Sequence, residues 1–462
     1  MLRAAFGYSE VSMKHRTGVA HVWAMRVVGL LACGMATGVL AQPAGAPAAP
    51  PAVPTPPEAA ATDTGLYKAK PGPWDVKIID ESWKDEARNR TISVRIYLPQ
   101  ARDGVGGDEK HPVIVFSHGL GGSGQNYVYF GNHLASHGYI VLAPTHPGSD
   151  TEQAKAWIKA NGSLFSGPGA KGQKPDVARN DEPKPERPLD RARERMKERR
   201  EGEPEAGPEP GAGMTPGMTG NGGWMMTTIT EPDNLKNRPR DISFLLDQVA
   251  KHAILGPIAD MQRIGVSGHS FGAYTAMAIG GMTVDLPADH GGNTQSFRDP
   301  RVKAVLPMSP EGAGTMGISA GAWSRFAAPA LFLTGTNDYG STARSAAWRR
   351  QGYEHSNGVD RYLVTIDGAG HMTFANPGEK SLRQAANGLG VGLFLLGQND
   401  AKKQEAHIAL IDSVSAMFFD AYVRDDAAAL KQLQAFSISK HSDCVAEYAP
   451  AAKAETPAQK TP

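Results

Sequence analysis

The sequence predicts an α/β fold, namely a mostly parallel sheet with helices on both faces and antiparallel strands at the N-terminal side. Three observations support this prediction. Two early segments alternate between apolar and polar residues, six later segments are uninterrupted apolar runs, and helical stretches separate those runs. Chains that alternate strands and helices in this way form open sheets with helices packed on their faces.

The two alternating segments are WDVKIID at 74–80 and TISVRIYLP at 91–99. Alternation with period two is typical of strands that expose one face, so both are predicted to be antiparallel. The apolar runs are rich in Val, Ile and Leu, as expected of parallel strands buried on both faces. These runs lie at 112–119, 139–146, 263–270, 302–309, 330–338 and 361–371. Helices are predicted at 127–137, 239–252, 271–282, 342–351 and 381–396.

Composition narrows the possible classes of function. The chain has 462 residues, 40% of them hydrophobic, and a formal net charge of +1. Nucleic acid is not expected as a partner, because binding a polyanion needs an excess of basic charge. No partner protein is indicated. Only two cysteines are present, Cys33 and Cys444. If Cys33 is removed with a leader, one thiol remains and no intrachain disulfide can form.

Residues 1–41 are predicted to be a cleaved signal peptide. Basic residues precede the apolar run at 27–41, which is shorter than the roughly 20 residues that a membrane-spanning helix needs. We therefore expect an exported protein, periplasmic or secreted, with no stable membrane span. An alternative remains open, because the sequence Leu-Leu-Ala-Cys ending at Cys33 resembles a lipoprotein box.

The rest of the chain divides by composition. Residues 42–73 are rich in Pro and Ala and are predicted to be an extended linker. A folded domain is predicted at 74–448. It is interrupted at about 150–235 by a charged, proline-rich insertion that is expected to be largely disordered. Residues 449–462 are expected to form a disordered tail.

The strongest local motif is Gly268-His269-Ser270-Phe271-Gly272, which follows an apolar strand and opens a helix. In that context G-x-S-x-G predicts a nucleophile elbow with Ser270 as the nucleophile. The strained turn leaves no room for side chains at the two glycines. The helix N-terminus favours negative charge that develops beside the serine.

A serine needs a base, and in this architecture the chain order is serine, acid, histidine. His371 follows the last predicted strand in a glycine-rich loop, where the base is expected. Asp338, at the end of the preceding strand, is the predicted acid that orients the imidazole. Glu311, which follows the strand before that, is the alternative acid.

An oxyanion hole needs two backbone N–H groups. Phe271 is predicted to supply one, and Leu120 the other, from the loop His118-Gly119-Leu120-Gly121-Gly122. We call residues 118–122 the glycine loop. Residues expected in or beside the substrate pocket are His118, His269 and Trp224. Trp224 is included because the insertion leaves from the carboxyl end of a strand, where open α/β sheets build their sites.

No metal ion and no cofactor is expected. The chain has neither a His-Glu-x-x-His motif nor paired cysteines with zinc-ligand spacing. It also lacks the Gly-Lys-Ser/Thr ending of a nucleotide-binding loop and the glycine fingerprint of a dinucleotide site.

At these residues the chain resembles the α/β-hydrolase superfamily, and within it a bacterial branch of platelet-activating-factor acetylhydrolase-like and dienelactone-hydrolase-like proteins. The resemblance covers roughly residues 74–400 without the insertion. It rests on FSHGLGG (116–122), RPRDISFLLDQ (238–248), GHSFGAYTA (268–276), LTGTND (333–338) and GAGH (368–371). It implies Ser270 as nucleophile, His371 as base, and Phe271 and Leu120 as oxyanion donors.

The chain also departs from these relatives. Dienelactone hydrolases have a cysteine at the position of Ser270, so a lactone substrate is not favoured. The acetylhydrolase pattern has an aspartate after the strand that ends here in LPMSPEG. Because that aspartate is absent, Asp338 is preferred as the acid and Glu311 is kept as the alternative.

These features predict a serine hydrolase that cleaves a small-molecule carboxylic ester through an acyl-enzyme. Two alternatives stay open. The same triad could hydrolyse an amide or peptide, since both reactions pass through one kind of tetrahedral intermediate. The chain could also be a non-catalytic binding protein on a hydrolase core, with the charged insertion and the tails as its interaction surfaces.

Overall fold

The computed structural model of the protein describes residues 66–102, 104, 110–161, 223–290, 292–340, 344–375 and 403–452. Several sequence predictions lie outside these residues. They are the signal peptide, most of the Pro/Ala-rich linker, the central part of the insertion, the helix at 381–396 and most of the C-terminal tail.

Eleven strands occur in the described part of the chain. They are β1 Asp75–Asp85, β2 Arg90–Gln100, β3 His111–Ser117, β4 Ile140–Thr145, β5 Ala259–His269, β6 Thr283–Leu286, β7 Asn293–Ser296, β8 Val302–Met308, β9 Ala330–Asn337, β10 Arg361–Gly370 and β11 Cys444–Ala449. Nine of them form one sheet in the order β1-β2-β4-β3-β5-β8-β9-β10-β11, while β6 and β7 form a separate hairpin.

The sheet is mixed but mostly parallel. Strand β2 is antiparallel to both β1 and β4, and β11 is antiparallel to β10. All the neighbouring pairs from β4 to β10 are parallel. Both alternating segments and all six apolar runs are therefore strands, and the predicted α/β-hydrolase fold is confirmed.

Helices accompany the strands on both faces. They are α1 Val128–Ser136, α2 Thr151–Asn161, α3 Trp224–Thr230, α4 Pro232–Lys251, α5 Leu255–Ile258, α6 Phe271–Gly280, α7 Gln351–His355, α8 Gln404–Tyr422 and α9 Ala427–Ile438. The helix predicted at 342–351 is a 3-10 helix at Ala346–Arg350 that leads into α7. None of the described helices has the length and apolar character needed to cross a membrane.

Helix α4 begins seven residues before its predicted start, because Pro239 lies inside the helix rather than at its beginning. A proline has no N–H, so the carbonyl four residues earlier loses its usual donor. That carbonyl belongs to Leu235, and the Tyr274 hydroxyl donates to it at 3.1 Å. A side chain of α6 thus replaces the missing helical hydrogen bond and keeps α4 continuous.

The core lies on both faces of the sheet, which explains the uninterrupted apolar runs. In β3, Val113 and Val115 belong to one cluster, with apolar side chains of α4 and α6. Ile114 and Phe116 belong to a second cluster, with side chains of α1 and α8. Successive strand residues point to opposite faces, so a strand covered on both sides has no position left for polar residues.

The ordered domain extends beyond its predicted bounds. Within the predicted linker, the Tyr67 hydroxyl donates to Asp420 at 2.8 Å, so the packed chain begins before Trp74. The two ends of the predicted disordered insertion are helical, as α2, α3 and the start of α4. At the C-terminus, β11 pairs with β10 and contains Cys444, a free, buried thiol. Burial raises the pKa of Cys444 to about 11, so it is protonated at neutral pH.

A matched pair of isoleucines tests how far stability depends on the centre of the sheet. Ile264 in β5 is fully buried, whereas Ile254 is 54% exposed. We expect Ile264→Ala to lower the free energy of unfolding by about 2–5 kcal/mol, because it leaves a cavity between the faces. Ile254→Ala should change it by less than about 0.5 kcal/mol. Chemical denaturation of both variants would check this, and equal effects would contradict the position of the core.

Candidate active site

Ser270 lies on a strained turn between β5 and α6. Its backbone has φ 57° and ψ −121°, a conformation that non-glycine residues rarely adopt. A Cβ at Gly268 would collide with the Gly272 carbonyl, and a Cβ at Gly272 would collide with the carbonyl of Ser117. The glycines are therefore required by close backbone packing. The turn is anchored where the Ser270 N–H donates to the Met308 carbonyl in β8 at 3.0 Å.

His371 lies directly after β10, at the start of a 3-10 helix, His371–Ala375. Its Nε2 atom is 3.0 Å from Ser270 Oγ, which is hydrogen-bonding distance. These residues are 101 positions apart in the chain. They meet because the carboxyl ends of parallel strands lie at the same edge of the sheet. The hydroxyl and the imidazole are therefore within the distance that general-base catalysis requires.

Asp338 follows β9 and is fully buried beside the imidazole. Its Oδ1 atom lies 3.3 Å from His371 Nδ1, and Thr334 donates to its Oδ2 at 3.0 Å. Burial acts to raise the pKa of Asp338, but the Arg349 guanidinium and the hydrogen bonds from His371 and Ser309 outweigh it, so the pKa is lowered. The carboxyl group is therefore ionised at neutral pH. The three residues predicted as a triad are in contact in the order serine, histidine, acid.

Glu311, the alternative acid, is also buried, but it makes no hydrogen bond to His371 among the described residues. Its Oε2 atom has no hydrogen-bond partner there. Burial raises the pKa of Glu311 to about 7, although the charge of Arg349 acts in the opposite direction. A group that is only partly ionised and does not touch the imidazole is poorly suited to orient it. The geometry favours Asp338.

Arg349 is a buried cation beside the acid and the base. Its Nε lies 2.7 Å from Asp338 Oδ1, and its Nη2 lies 3.1 Å from His371 Nδ1. Its Nη1 donates to the carbonyls of Ser309 and Pro310. Burial and then the Arg349 charge lower the pKa of His371, against an opposing effect of Asp338. The imidazole is thereby kept neutral, the form that accepts a proton.

The glycine loop lies beside the nucleophile turn. Gly121 donates to the Ser149 carbonyl at 2.9 Å, and Gly122 donates to Gly119 at 3.1 Å. Within the described ranges, neither the Leu120 nor the Phe271 backbone N–H has an acceptor in the protein. Two backbone N–H groups without acceptors, one in the glycine loop and one directly after the serine, are the kind of donors that stabilisation of an oxyanion requires.

The Arg238 side chain is completely buried and forms hydrogen bonds to the glycine loop and to residues beside it. It donates to the His118 carbonyl, to Ser117 Oγ at 3.1 Å and to Ser149 Oγ at 2.7 Å. Its guanidinium also lies 4.4 Å from the centre of the Phe271 ring. Burial lowers the pKa of Arg238 to about 9, so it remains a cation at neutral pH. One side chain thus links the glycine loop to the helix that follows the nucleophile.

His118, which was expected in or beside the substrate pocket, is a buried residue. It is 1% exposed. Its Nδ1 lies 2.6 Å from the Gly119 carbonyl, and its Nε2 accepts from the His146 N–H at 3.0 Å. Burial, followed by the charge of Arg238, holds the pKa of His118 well below its usual range. A neutral histidine with both ring nitrogens occupied supports the loop from inside and has no free polar atom for a ligand.

His269 connects three parts of the site. The Tyr127 hydroxyl lies 2.8 Å from its Nδ1, and its Nε2 lies 2.8 Å from the His371 carbonyl oxygen. The Gly119 N–H donates to the same tyrosine oxygen at 3.2 Å. Burial, and then the charge of His371, keep the pKa of His269 well below normal. A chain of hydrogen bonds therefore runs from the glycine loop to the backbone of the base.

Trp224 is buried at the start of α3, and its ring packs against the glycine loop. A Cβ built on Gly121 would lie 3.4 Å from Cη2 of the indole. Together with Ala154 it forms a small apolar cluster, with Leu120, Trp157, Ile158 and Met225 packed around it. The indole therefore lies within one residue of the expected oxyanion donor Leu120.

Four contributors to the site were not singled out in the sequence as functional: Tyr127, Arg238, Ser309 and Arg349. Arg238 is the first residue of RPRDISFLLDQ, a segment that indicates a resemblance to α/β hydrolases but no role for the arginine. The others are isolated residues whose importance depends on contacts across the fold. In the described part of the chain, no group of three or more histidine, cysteine or acidic residues could hold a metal ion.

The family model "Platelet-activating factor acetylhydrolase, isoform II" matches residues 100–158. This family belongs to the α/β-hydrolase superfamily. The match runs from the end of β2 through the glycine loop to α2 and stops before the nucleophile turn. It supports the resemblance inferred from the sequence, and with it a hydrolase. None of the curated proteins compared with the chain matches it significantly.

The bridge between the glycine loop and His269 can be tested with two tyrosines. Tyr127→Phe removes the hydroxyl shared by Gly119 and His269 and leaves both buried groups without that partner. We expect the free energy of unfolding to fall by about 1–3 kcal/mol. Tyr339→Phe is the control, because Tyr339 is 44% exposed. Equal stability of both variants in urea titrations would show that the bridge is not needed.

Proposed function

We propose that the protein is a serine hydrolase that cleaves carboxylic esters of small molecules through an acyl-enzyme on Ser270. The observation that supports this most strongly is the 3.0 Å contact between Ser270 Oγ and His371 Nε2 on a strained strand-to-helix turn. A serine without such a base is a weak nucleophile. The strain of the turn is consistent with a reactive residue rather than with a packing role.

In the first half-reaction, His371 Nε2 accepts the proton of Ser270 as Oγ attacks the ester carbonyl carbon. The carbonyl oxygen becomes an oxyanion, held by the N–H groups of Leu120 and Phe271 and by the N-terminus of α6. His371 then returns the proton to the leaving alcohol, the C–O bond breaks and the acyl group stays on Ser270. Asp338 stabilises the transient imidazolium.

In the second half-reaction, water attacks the acyl carbonyl while His371 takes one of its protons. The same two backbone N–H groups hold the second oxyanion. Collapse of this intermediate expels Ser270 Oγ, which regains its proton from the imidazolium, and the carboxylic acid leaves. Base and nucleophile return to their starting forms, so no cofactor or metal ion is required by the chemistry.

Substrate contact and cellular location belong to the same proposal. Trp224 packs against the glycine loop, so we place it on the wall of the pocket near the carbonyl of the substrate. The signal-peptide pattern at residues 1–41 supports export to the periplasm or medium. A soluble small-molecule ester is the favoured substrate class.

Covalent labelling tests the nucleophile directly. We expect a fluorophosphonate probe to label the full-length protein at Ser270, and Ser270→Ala to lose both labelling and turnover of a short acyl ester by at least about 10³-fold. Ser437→Ala is the control, because this buried serine lies in α9, where its hydroxyl donates to the Leu433 carbonyl of the same helix at 2.8 Å. A wild-type protein that takes up no probe would favour the non-catalytic binding alternative.

The acid is assigned by comparing two buried carboxyl groups. Asp338→Asn keeps the shape but removes the charge that stabilises the imidazolium, so kcat should fall by roughly 10²–10⁴-fold. Glu311→Gln should change kcat by less than about tenfold, because Glu311 does not contact His371. Steady-state kinetics with one model ester would compare them. If the larger loss followed Glu311→Gln, the acid would be Glu311.

A further inference from the structure

We propose that Ser309 is a positioning residue, whose hydroxyl bridges Asp338 and His371 and fixes the imidazole tautomer that can accept the Ser270 proton. This inference rests on the proposed function, because it concerns the base of that reaction. Ser309 follows β8, the strand after which the sequence predicts only the alternative acid Glu311.

The distances favour an indirect link between acid and base. Ser309 Oγ lies 2.6 Å from His371 Nδ1 and 2.9 Å from Asp338 Oδ1. The direct contact between Nδ1 and Oδ1 is longer, at 3.3 Å, which exceeds the usual range for an N–H···O hydrogen bond. The shortest path of hydrogen bonds from the acid to the base therefore passes through the serine hydroxyl.

Counting protons gives the direction of each bond. A serine hydroxyl has one hydrogen, and an ionised carboxylate can only accept. The Ser309 hydrogen therefore points to Asp338, and Ser309 Oγ must accept at its contact with His371. Nδ1 must then carry the proton of the neutral imidazole. Nε2 is left with its lone pair facing Ser270, which is the arrangement that general-base catalysis needs.

Arg349 opposes this tautomer, so the Nδ1 proton needs a close acceptor. Its Nη2 is 3.1 Å from His371 Nδ1 and, like every guanidinium nitrogen, can only donate. Acting alone, it would favour an unprotonated Nδ1 and a proton on Nε2. That tautomer cannot accept from Ser270. The Ser309 oxygen opposes this effect, because it offers an acceptor for the Nδ1 proton at a shorter distance.

The other ionisable group in contact with His371 does not alter this assignment. His269 packs against the imidazole at 4.7 Å between ring centres, and its Nε2 lies 2.8 Å from the His371 backbone carbonyl. It is neutral, because burial and then the charge of His371 keep its pKa low. Glu311 makes no hydrogen bond to the imidazole among the described residues, and the Arg349 charge acts to lower its pKa. Ser309 thus provides the close acceptor for Nδ1.

The backbone at Ser309 allows a clean substitution. Its φ is 50°, in the left-handed region that glycine adopts most easily, and its N–H donates to the Leu333 carbonyl at 2.6 Å. Ser309→Gly therefore removes the hydroxyl while relieving the backbone, and Ser309→Ala removes it while keeping Cβ. If both variants lose activity to a similar extent, the loss is due to the missing hydroxyl and not to an effect on folding.

The test measures how fast a fluorophosphonate labels each full-length variant across a pH series. For Ser309→Ala and Ser309→Gly we expect the plateau rate to fall by about 10- to 100-fold. The acidic limb of the plot of labelling rate against pH should also move to lower pH. Loss of the Ser309 oxygen, which accepts the Nδ1 proton, destabilises the imidazolium and lowers the pKa of His371. Ser437→Ala should leave both quantities unchanged.

The possible outcomes separate this inference from the proposed function. If the wild type is labelled, and both variants keep its plateau labelling rate and the position of its acidic limb, the role of Ser309 is overturned. Loss in Ser309→Ala with full activity in Ser309→Gly would also overturn it, because packing would then be responsible. If the wild type were not labelled, the proposed function would fail. The far-downfield NMR resonance of His371 Nδ1–H, assigned with His371→Ala, would still report whether Ser309→Gly changes the tautomer.

Discussion

Close contact between two backbone segments is the constraint on which the site depends. The turn that contains Ser270 packs so tightly against the end of β3 that a Cβ at Gly272 would overlap the Ser117 carbonyl. This contact brings the glycine loop beside the turn, in which Ser270 has a positive φ. Any side chain at Gly272 would separate the nucleophile from the predicted oxyanion donor Leu120, although neither residue would itself have changed.

The surrounding polar groups are rigid because each has a defined donor or acceptor role. Burial keeps the pKa values of His118 and His269 well below normal, so both are neutral and each can offer one N–H and one lone pair. His269 accepts from Tyr127 and reaches the His371 carbonyl, and His118 accepts from a backbone N–H. Since protonating either ring would break a bond, these histidines act as fixed connectors between loops and not as bases.

The sequence predicted what depends on local pattern and missed what depends on contacts across the fold. The parallel strands and the Ser270 turn follow from apolar runs and glycine spacing, which local sterics dictate. The order of the strands then brings His371 and Asp338 to the same edge of the sheet. Helix α8 has little pattern to detect, because every residue from Leu410 to Ala421 is buried, and β11 alternates weakly at the edge of the sheet. Ser309 could not be found, because its role arises from an acid and a base on two other strands.

Arg349 lies near two buried carboxyl groups, and the distribution of hydrogen bonds decides which of them holds the negative charge. The Asp338 carboxylate accepts hydrogen bonds from Ser309 and Thr334 and lies 2.7 Å from Nε of the Arg349 guanidinium, and these contacts favour its ionised form. Glu311 has an oxygen with no partner among the described residues, so the cost of its desolvation is not offset, and its pKa rises to about 7. Two carboxylates near one guanidinium would also repel each other in this poorly solvated interior. The charge therefore resides on Asp338, 3.3 Å from Nδ1 of His371, and Glu311 can lose its proton only at the further cost of placing a second negative charge near the first.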